Sequence, residues 1–471
     1  MKLRLDMLAR VTGGTVVRGN PGRELSGVTT DSRAVKPGQI FFALRGAKFD
    51  GHKFVAESAQ KGAAAAVVDG KFKGKARAGF GLVRVPDTLF ALGELARFER
   101  ARLAVKVLGI TGSVGKTTTK EMAAAVLAKK FRVSKSPGNF NNLIGVPLAI
   151  FGISPKAQVA VLELASNGPG EIARLSEIAQ PECGVIVRIA PAHLQGLKSL
   201  EGVEAEKRAL MSALGPNGTF IFNLADPRLC RLAMGFAGRR IGFGFRAPVS
   251  NCAEMEVRAE RAKITRASAG LVQEFRVKQS GKAPKSAMVR LKAAGGHLVE
   301  NALAALAAGL AMGVSLEQGA SALSGFEPGR GRGKMERLSN GAWMIDESYN
   351  ASPESMKQAL RAFAEYGRRV RGRKILVLGE MAELGGYSGQ AHRELGEVLR
   401  KTAFDRLYYL GGFSQELAAG LGKALAAKIQ TCADLGRLKA LAADLGPGDL
   451  VMLKSSHATG LWQIADWLRE K

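Results

Sequence analysis

At residues 105–118 the chain reads VKVLGITGSVGKTT. Its first six residues form the apolar run of a buried strand, and a helical pattern continues from Thr119 to about Lys129. Between them, glycines allow backbone N–H groups to point at phosphate oxygens, and the helix N-terminus adds a favourable dipole. The stretch therefore predicts a phosphate-binding loop between a strand and a helix, and with it an α/β domain built on a parallel sheet.

The residues of this loop have separable predicted roles. Lys116 can reach the terminal phosphates of ATP, and the Thr117 hydroxyl can ligate Mg²⁺. A strict phosphate-loop motif has Gly where Ile110 stands, so this is a variant with its bend at Gly112. ATP and Mg²⁺ are therefore the expected cofactors. The predicted ATP-binding residues of the loop are Gly112, Ser113, Gly115, Lys116, Thr117 and Thr118.

With 471 residues the chain is too long for one hydrophobic core, and we expect three domains. Residues 1–84 read as a small N-terminal α/β module with short apolar strands. Residues 85–328 read as the central ATP-binding domain, with a basic, β-rich addition over about 248–291. After a linker rich in Gly and Arg, residues 329–471 alternate strands with helices and predict a second, Rossmann-like domain.

Composition narrows the class of protein. The 46% of hydrophobic and 23% of charged residues are typical of a folded chain. The net charge of +28 admits a nucleic-acid partner, but the basic clusters lack the interleaved aromatic residues that stack on bases. We therefore disfavour nucleic acid, and the excess charge has no explanation at this stage.

The cysteines and the apolar runs of the sequence indicate the cellular compartment of the protein. The four cysteines are scattered without metal-ligand spacing, which favours a reducing compartment. The N-terminus carries charges where a signal peptide has an apolar run, and the longest apolar stretch is shorter than a membrane span. We expect a cytoplasmic monomer that does not insert into a membrane.

Two further residues, Glu163 and His193, are candidates for metal binding. Glu163 ends the apolar strand before it, in the position that a metal-binding acid takes opposite a phosphate loop. His193 follows another predicted strand and is open to three interpretations: a ligand, a packed side chain or a solvent-facing one. Lys207 lies in a charged helical run, and the sequence alone favours a solvent-exposed lysine there.

Several segments together resemble the Mur ligase family, the ATP-dependent amide ligases of peptidoglycan precursor synthesis. The resemblance covers essentially the whole chain, in matching order. It is carried by the phosphate loop including Ile110, TDSR at 30–33, DGH at 50–52, GNFNNLIGVP at 138–147, ELASN at 163–167, PGEI at 169–172, and APAHL at 190–194 continuing to Lys207.

Two later segments are similar to the members that add D-alanyl-D-alanine. They are DESYNASPESM at 346–356 and LGEMAELG at 378–385. The Asp-Asn-Pro-Arg motif of the members that add the third peptide residue does not occur in the chain. The chain departs from the family pattern at Ser352, at Leu298, and at Lys454-Ser455-Ser456-His457, where Lys-Gly-Ser-Arg is usual.

The resemblance implies a reaction. The terminal carboxylate of UDP-N-acetylmuramoyl-tripeptide attacks the γ-phosphate of ATP to give an acyl phosphate. The amine of D-alanyl-D-alanine then attacks that carbonyl, and ADP and phosphate are released. Activation is needed because a carboxylate is a poor electrophile, so the protein's tasks are positioning and charge neutralisation.

The resemblance also implies roles for individual residues. Catalysis falls to Lys116, His193 and Lys207. The metal ligands are Thr117, Glu163, His193 and, if it is carbamylated, Lys207. Further ATP contacts are Asn301, Arg330, Asp346, Tyr349 and Asn350. The substrate contacts are Thr30, Asp31, Ser32, Arg33, Asn139, Asn142 and Ser166.

Alternatives remain open at this point. The chain could be a Mur-type ligase with another amino-acid donor, or a folylpolyglutamate synthetase, although the latter should lack the 346–356 segment. A basic, nucleic-acid-binding ATPase is the alternative from another class.

Overall fold

The structure is a computed structural model that describes residues 1–46, 49–74, 79–248, 251–267, 270–281, 284–293 and 295–471. The chain divides into two compact units, each described here by itself. The first holds Met1–Gly109, Phe131–Ala165 and Gly170–Glu182. The second holds Ile110–Lys130, Ser166–Pro169 and Cys183–Lys471.

The N-terminal part of the first unit is a small α/β module. Its strands are β1 (Lys2–Arg4), β2 (Thr15–Arg18), β3 (Glu24–Ser26), β4 (Val28–Thr29), β5 (Ile40–Phe42), β6 (Arg45–Gly46), β7 (Phe49–Asp50), β8 (Ala65–Asp69) and β9 (Gly81–Val85). Its helices are α1 (Leu5–Val11), α2 (Val55–Gln60) and α3 (Thr88–Ala101). The main sheet has the order β2-β9-β8-β5-β4, parallel except at β2. Helix α3 begins at Thr88, because the Asp87 carboxylate accepts hydrogen bonds from the backbone N–H groups of Leu89 and Phe90.

The middle of the chain alternates strands and helices. Its strands are β10 (Lys106–Thr111), β11 (Val133–Lys135), β12 (Val159–Glu163), β13 (Cys183–Ile186), β14 (Thr219–Asn223), β15 (Arg239–Phe245), β16 (Met255–Ala259), β17 (Ala262–Ala267), β18 (Gly270–Gln279) and β19 (Lys285–Leu291). Its helices are α4 (Lys116–Leu127), α5 (Gly145–Phe151), α6 (Glu171–Ala179), α7 (Leu194–Leu197), α8 (Leu200–Ser212), α9 (Pro227–Met234), α10 (Gly296–Ala311) and α11 (Leu316–Ser324).

Within the first unit β11 pairs with β12 in parallel. Within the second unit β13, β14, β15 and β16 form parallel pairs, and β17, β18 and β19 continue them as an antiparallel addition. The predicted β-rich addition is therefore present. Helix α10 is the predicted buried helix, and its small residues let it lie close to α4: a Cβ at Gly309 would come within 2.5 Å of Val126 Cγ1.

The C-terminal part of the second unit is a doubly wound sheet. Its strands are β20 (Lys334–Arg337), β21 (Trp343–Glu347), β22 (Lys374–Gly379), β23 (Arg406–Leu410), β24 (Ile429–Cys432) and β25 (Leu450–Lys454). Its helices are α12 (Pro353–Gly367), α13 (Ser388–Leu399), α14 (Ser414–Leu421), α15 (Lys423–Ala426), α16 (Leu435–Ala442) and α17 (Trp462–Glu470). The sheet order is β20-β21-β25-β22-β23-β24, parallel except at β20. Polar loops follow the carboxyl ends of β21, β22 and β25, the edge at which α/β sheets bind ligands.

The predicted α/β class with parallel sheets is confirmed. The domain boundaries at 84/85 and 328/329 stay predictions. The helix after the phosphate loop starts at Lys116, three residues before its predicted start, because Gly115 already serves as its N-cap. No helix in the described part of the chain is both long enough and apolar enough to cross a membrane.

Candidate active site

The phosphate loop lies between β10 and α4, as predicted. Gly112 and Gly115 have φ values of 149° and 83°, a region that side-chain-bearing residues rarely adopt. A Cβ at Gly115 would come within 2.5 Å of Asn301 Oδ1, and one at Gly112 would lie 3.2 Å from the backbone nitrogen of Arg188. Both positions therefore require glycine, since the loop passes close to α10 and to the segment after β13.

Hydrogen bonds fix the loop against the segment after β13. The Ser113 hydroxyl donates to the Ala190 carbonyl over 2.7 Å and accepts from the Ala190 N–H over 2.9 Å. The Ser113 N–H donates to the Arg188 carbonyl, and Lys116 Nζ donates to the Gly112 carbonyl over 2.7 Å. The Ser113 side chain thus anchors the loop, and the Lys116 ammonium lies against the loop's own backbone.

A cavity in the second unit is lined by both the phosphate loop and the segment after β21. Ser113 to Thr118 form one wall. Asn301 of α10 contributes a buried side chain whose Oδ1 accepts from Thr119 Oγ1 over 3.3 Å. Tyr349 and Asn350 line the cavity as well. Residues predicted from separate segments to contact ATP therefore meet around one space.

The other two predicted ATP contacts, Asp346 and Arg330, interact with protein side chains or backbone in this structure. The buried Asp346 carboxylate accepts from the Gly331 N–H over 3.1 Å and from Arg469 over 2.5 Å. Arg330 is 78% exposed, with its guanidinium 3.6 Å from Asp466. Asp346 thus holds the linker turn in place. The ATP contacts assigned to Asp346 and Arg330 stay predictions.

The predicted catalytic residues His193 and Lys207 each have a defined partner. His193 Nδ1 lies 2.6 Å from Glu383 Oε2. This hydrogen bond lowers the pKa of the Glu383 carboxyl. Lys207 Nζ donates to Ser166 Oγ over 2.8 Å, and both side chains are buried. Lys207 is therefore not the solvated lysine that its charged surroundings in sequence would allow.

Three family models match successive parts of the chain. They are "Mur ligase family, catalytic domain" at residues 24–100, "Mur ligase middle domain" at 110–309, and "Mur ligase, glutamate ligase domain" at 331–457. The UDP-N-acetylmuramoyl-tripeptide–D-alanyl-D-alanine ligase of Bacillus subtilis is 33% identical, over 100% of this chain and 99% of its own. The chain belongs to the Mur ligase family. The enzyme of the same description from Escherichia coli is 34% identical, over 95% and 94% of the two chains.

Solved structures similar to this Mur ligase include a MurF from Acinetobacter baumannii. It has a TM-score of 0.86 and 30% identity, and the match covers 100% of this chain and 99% of that one. A MurF ligase from Thermotoga maritima in complex with ADP has a TM-score of 0.78 and 26% identity, over 94% and 97% of the chains. These similarities confirm the family and fold that the sequence segments predicted.

Several cavity residues of this Mur ligase were missed from sequence. The Arg332 guanidinium lies 3.7 Å from the centroid of the Tyr349 ring, so Arg332, two residues beyond the predicted Arg330, brings the linker's charge into the cavity. Lys454 pairs with Glu347 over 3.2 Å and donates to the Asn350 carbonyl over 2.9 Å. The Gly-Arg repeat of the linker was the one available signal for Arg332.

Arg188 is held between two carboxylates at the edge of the same cavity. Its guanidinium lies 3.2 Å from Glu300 of α10 and 3.1 Å from Glu354 of α12. Burial raises the pKa of Glu300, and the nearby Arg188 opposes that rise. His297, also in the cavity wall, has its pKa lowered mainly by burial, which favours the neutral ring. Nothing local in the sequence marks these partners, because they lie on separate elements.

The remaining predicted residues belong to the first unit. The buried Glu163 ends β12, and its Oε1 accepts from Asn141 Nδ2 over 2.9 Å. Asn141 was missed although it lies inside the predicted asparagine loop. Asn142 Oδ1 accepts from the backbone N–H groups at positions 144 and 145 and so caps the start of α5. Asn139 is exposed.

The predicted substrate segment at 30–33 also lies in the first unit. Asp31 and Arg33 form a two-pronged ion pair with distances of 2.9 and 2.8 Å. Hydrogen bonds from Arg33 lower the pKa of Asp31 to about 2. Ser32 is buried, with its carbonyl accepting from Lys61, while Thr30 is partly exposed. The Arg33 side chain reaches into solvent at 85% exposure.

Proposed function

We propose that this chain joins D-alanyl-D-alanine to the terminal carboxylate of UDP-N-acetylmuramoyl-tripeptide, with ATP and Mg²⁺, in peptidoglycan precursor synthesis. The observation that carries the proposal is the cavity, in which Lys116 of the phosphate loop faces the same space as Tyr349 and Asn350 of the 346–356 segment. Support comes from relatives named for this activity that match the chain from end to end.

Two displacements make up the proposed reaction. The tripeptide carboxylate oxygen bonds to the γ-phosphorus of ATP, the bond from that phosphorus to the β,γ-bridging oxygen breaks, and ADP leaves. The amine nitrogen of D-alanyl-D-alanine then bonds to the acyl carbon, the carbon–oxygen bond to phosphate breaks, and the nitrogen loses a proton. Lys116 neutralises charge on the terminal phosphates, while backbone N–H groups of the loop orient them.

The chemistry of the available donors fits Mg²⁺. No cluster of three or more His, Cys, Asp or Glu side chains suited to a metal occurs among the residues that the structure describes. A Mg²⁺ ion held largely by hydroxyl, phosphate and carbamate oxygens needs no such cluster. We assign Thr117 and Glu163 as protein ligands of one Mg²⁺, and His193 and carbamylated Lys207 as protein ligands of a second Mg²⁺. When bound, Mg²⁺ neutralises the charge that develops on the phosphate oxygens.

Burial gives Lys207 a reason to be modified. An amine in a low-dielectric environment is favoured in its neutral form, and only the neutral amine adds carbon dioxide. Ser166 Oγ, 2.8 Å from Nζ, is placed to hydrogen-bond a group formed there. We assign Ser166 to orienting that group as well as to the substrate side.

We further propose that the protein acts as a monomer in the cytoplasm. The four cysteines are scattered through the sequence without metal-ligand spacing, which favours a reducing compartment.

The test is product mass spectrometry with purified protein, ATP, Mg²⁺, D-alanyl-D-alanine and the tripeptide precursor. Lysine- and diaminopimelate-containing precursors are supplied in separate reactions. The expected product has the summed mass of peptide donor and acceptor less one water, with one phosphate released per amide formed. A product made only with a different amine would replace this assignment by another Mur-type ligase. No product with any amine would overturn it.

A further inference from the structure

Two loops that are far apart in the sequence of the second unit meet at His193. One follows β13, and the other follows β22 and carries Glu383. The His193 imidazole bonds through Nδ1 to the Glu383 carboxylate over 2.6 Å. The Glu383 carbonyl also accepts from the Gln195 N–H over 3.2 Å. One residue therefore fixes both the ring of His193 and the backbone beside it.

Both partners of this contact adopt backbone conformations that side-chain-bearing residues avoid. The φ angles are 53° at His193 and 64° at Glu383. In the described part of the chain only three other non-glycine residues have positive φ: Gln180, Lys198 and Arg246. Such conformations cost of order 1–3 kcal/mol each and persist where the surroundings enforce them, commonly at functional sites.

Hydrogen bonds to buried side chains hold the backbone of the Glu383 loop. The Met381 N–H donates to His392 Nε2 over 3.1 Å, and His392 Nδ1 donates to the Ser388 carbonyl over 2.7 Å. The Ala382 N–H donates to Ser456 Oγ over 2.8 Å. His392 and Ser456 are buried. The backbone that carries Glu383 is thus held in place next to His193.

This arrangement sets the tautomer of His193. A carboxylate only accepts hydrogen bonds, so the proton of a neutral His193 ring is on Nδ1 and the lone pair is on Nε2. A metal-binding histidine commonly donates its other N–H to a carboxylate in this way, which orients the ring and makes the ligating nitrogen more basic.

We propose that Glu383 is a positioning residue for His193 as a Mg²⁺ ligand, so that the metal site is complete only when the C-terminal part supplies Glu383. The inference rests on the metal role given to His193 in the proposed function. His193 lies in the segment matched by the middle-domain model and Glu383 in that matched by the C-terminal one.

The test measures metal binding directly. Mn²⁺ serves as the paramagnetic probe, titrated into protein with ADP and followed by electron paramagnetic resonance. We expect Glu383→Ala to weaken Mn²⁺ binding about 10-fold or more, in the range typical of lost outer-shell carboxylates. Glu383→Gln keeps a hydrogen-bond acceptor and should fall between that variant and the wild type. Glu397→Ala, an exposed glutamate on the same part of the chain, should bind Mn²⁺ as the wild type does.

A second readout separates positioning from simple structural support. In ¹⁵N-histidine spectra the wild-type His193 ring should carry its proton on Nδ1, Glu383→Gln should retain that tautomer, and Glu383→Ala should shift it toward Nε2. In the double variant with His193→Ala, the loss of Mn²⁺ affinity should not exceed that of His193→Ala alone.

Unchanged Mn²⁺ affinity together with an unchanged tautomer in Glu383→Ala would overturn the proposal. Unchanged affinity in His193→Ala would also overturn it, by removing the metal role on which it rests. Failure of the ligase assignment is distinguishable, because it appears as missing amide product, whereas the Mn²⁺ titration with ADP uses neither peptide substrate.

Discussion

Lys207 of α8 donates a hydrogen bond to Ser166 Oγ over 2.8 Å; the two residues are 41 positions apart in the chain, and both side chains are almost inaccessible to solvent. Burial in a low-dielectric environment favours the neutral form of an amine, and only a neutral amine adds carbon dioxide.

Carbamylation of Lys207 is therefore the first prediction. In ¹³C-bicarbonate, the ¹³C NMR spectrum of the wild type should show one carbamate signal, which Lys207→Ala should lack. The kcat of Lys207→Ala should be lower by at least about 100-fold, the effect typical of losing one charge contact to the transition state. Lys423→Ala removes an exposed lysine and should retain both. A carbamate signal that survives in Lys207→Ala would refute the assignment.

Removal of Ser166 Oγ tests the same pair from the other side. Ser166→Ala leaves the buried Lys207 nitrogen without this acceptor, which should lower the free energy of unfolding by about 1–3 kcal/mol. Denaturant unfolding followed by circular dichroism measures it. A stability equal to that of the wild type would show that the hydrogen bond is not formed in solution.

Lys116 provides the test of the phosphate loop. Lys116→Ala should reduce ATP-dependent ligation by about 100-fold or more, since a charge that stabilises the transferring phosphoryl group is lost. Lys129→Ala, at the exposed end of the following helix region, is the matched control and should be unaffected. Normal ligation by folded Lys116→Ala protein would mean that ATP is bound elsewhere.

The two linker arginines should differ in their effect on nucleotide binding. Arg332 stacks on Tyr349 in the cavity, whereas Arg330 is largely exposed. We expect Arg332→Ala to weaken ADP binding about 5-fold or more, corresponding to roughly 1 kcal/mol for a partly desolvated cation. Calorimetric titration of ADP into each variant measures the two affinities. A larger loss for Arg330→Ala would instead favour the residue predicted from sequence.

His392 predicts a pH dependence of stability. Burial lowers its pKa below the ordinary value of 6.5, so the unfolded chain takes up a proton there before the folded chain does. This contribution to stability is complete above the unfolded pKa and is lost as the pH falls below about 6.5, at up to about 1.4 kcal/mol per pH unit. Carboxyl groups with lowered pKa values act at lower pH. His297 and Glu300, whose pKa values are also shifted by burial, are present in the wild type and in a His392 variant alike, so the difference between their slopes reports His392.

Denaturant unfolding between pH 8 and pH 5 measures this slope. His392→Gln keeps a polar group at the position but cannot titrate, so it should lose less stability on acidification than the wild type. Phe413→Leu removes the ring stacked 4.5 Å from His392 without removing the titrating group, and should retain a slope. Identical slopes for wild type and His392→Gln would contradict the prediction.

Much of the architecture was accessible from local sequence. Strands such as Lys374–Gly379 and Arg406–Leu410 bear out the strand–helix alternation predicted for residues 329–471, because a buried parallel strand must be a largely uninterrupted apolar run. Asp87 marked the start of α3 through its capping side chain. Strands β14 and β15 were missed, although their cores are as apolar as those of the strands that were predicted.

The site was only partly accessible in the same way. The order Gly-Ser-Val-Gly-Lys-Thr determines a phosphate loop by itself, since glycine conformations, N–H directions and the following helix are all local properties. The sequence also determined the family, through segments that need no knowledge of their spatial relation. It did not reveal that Asp346 holds the linker turn, or that Arg332 rather than Arg330 lines the cavity.

Only the tertiary structure decided the charged contacts. Arg188 meets Glu300 and Glu354 at 112 and 166 residues' distance in the chain, and His193 meets Glu383 at 190. Apolar periodicity indicates which face of an element is buried, but it does not indicate which polar side chains then come within hydrogen-bonding distance of each other. That depends on strand order and loop conformation, which are set by the packing of the whole unit.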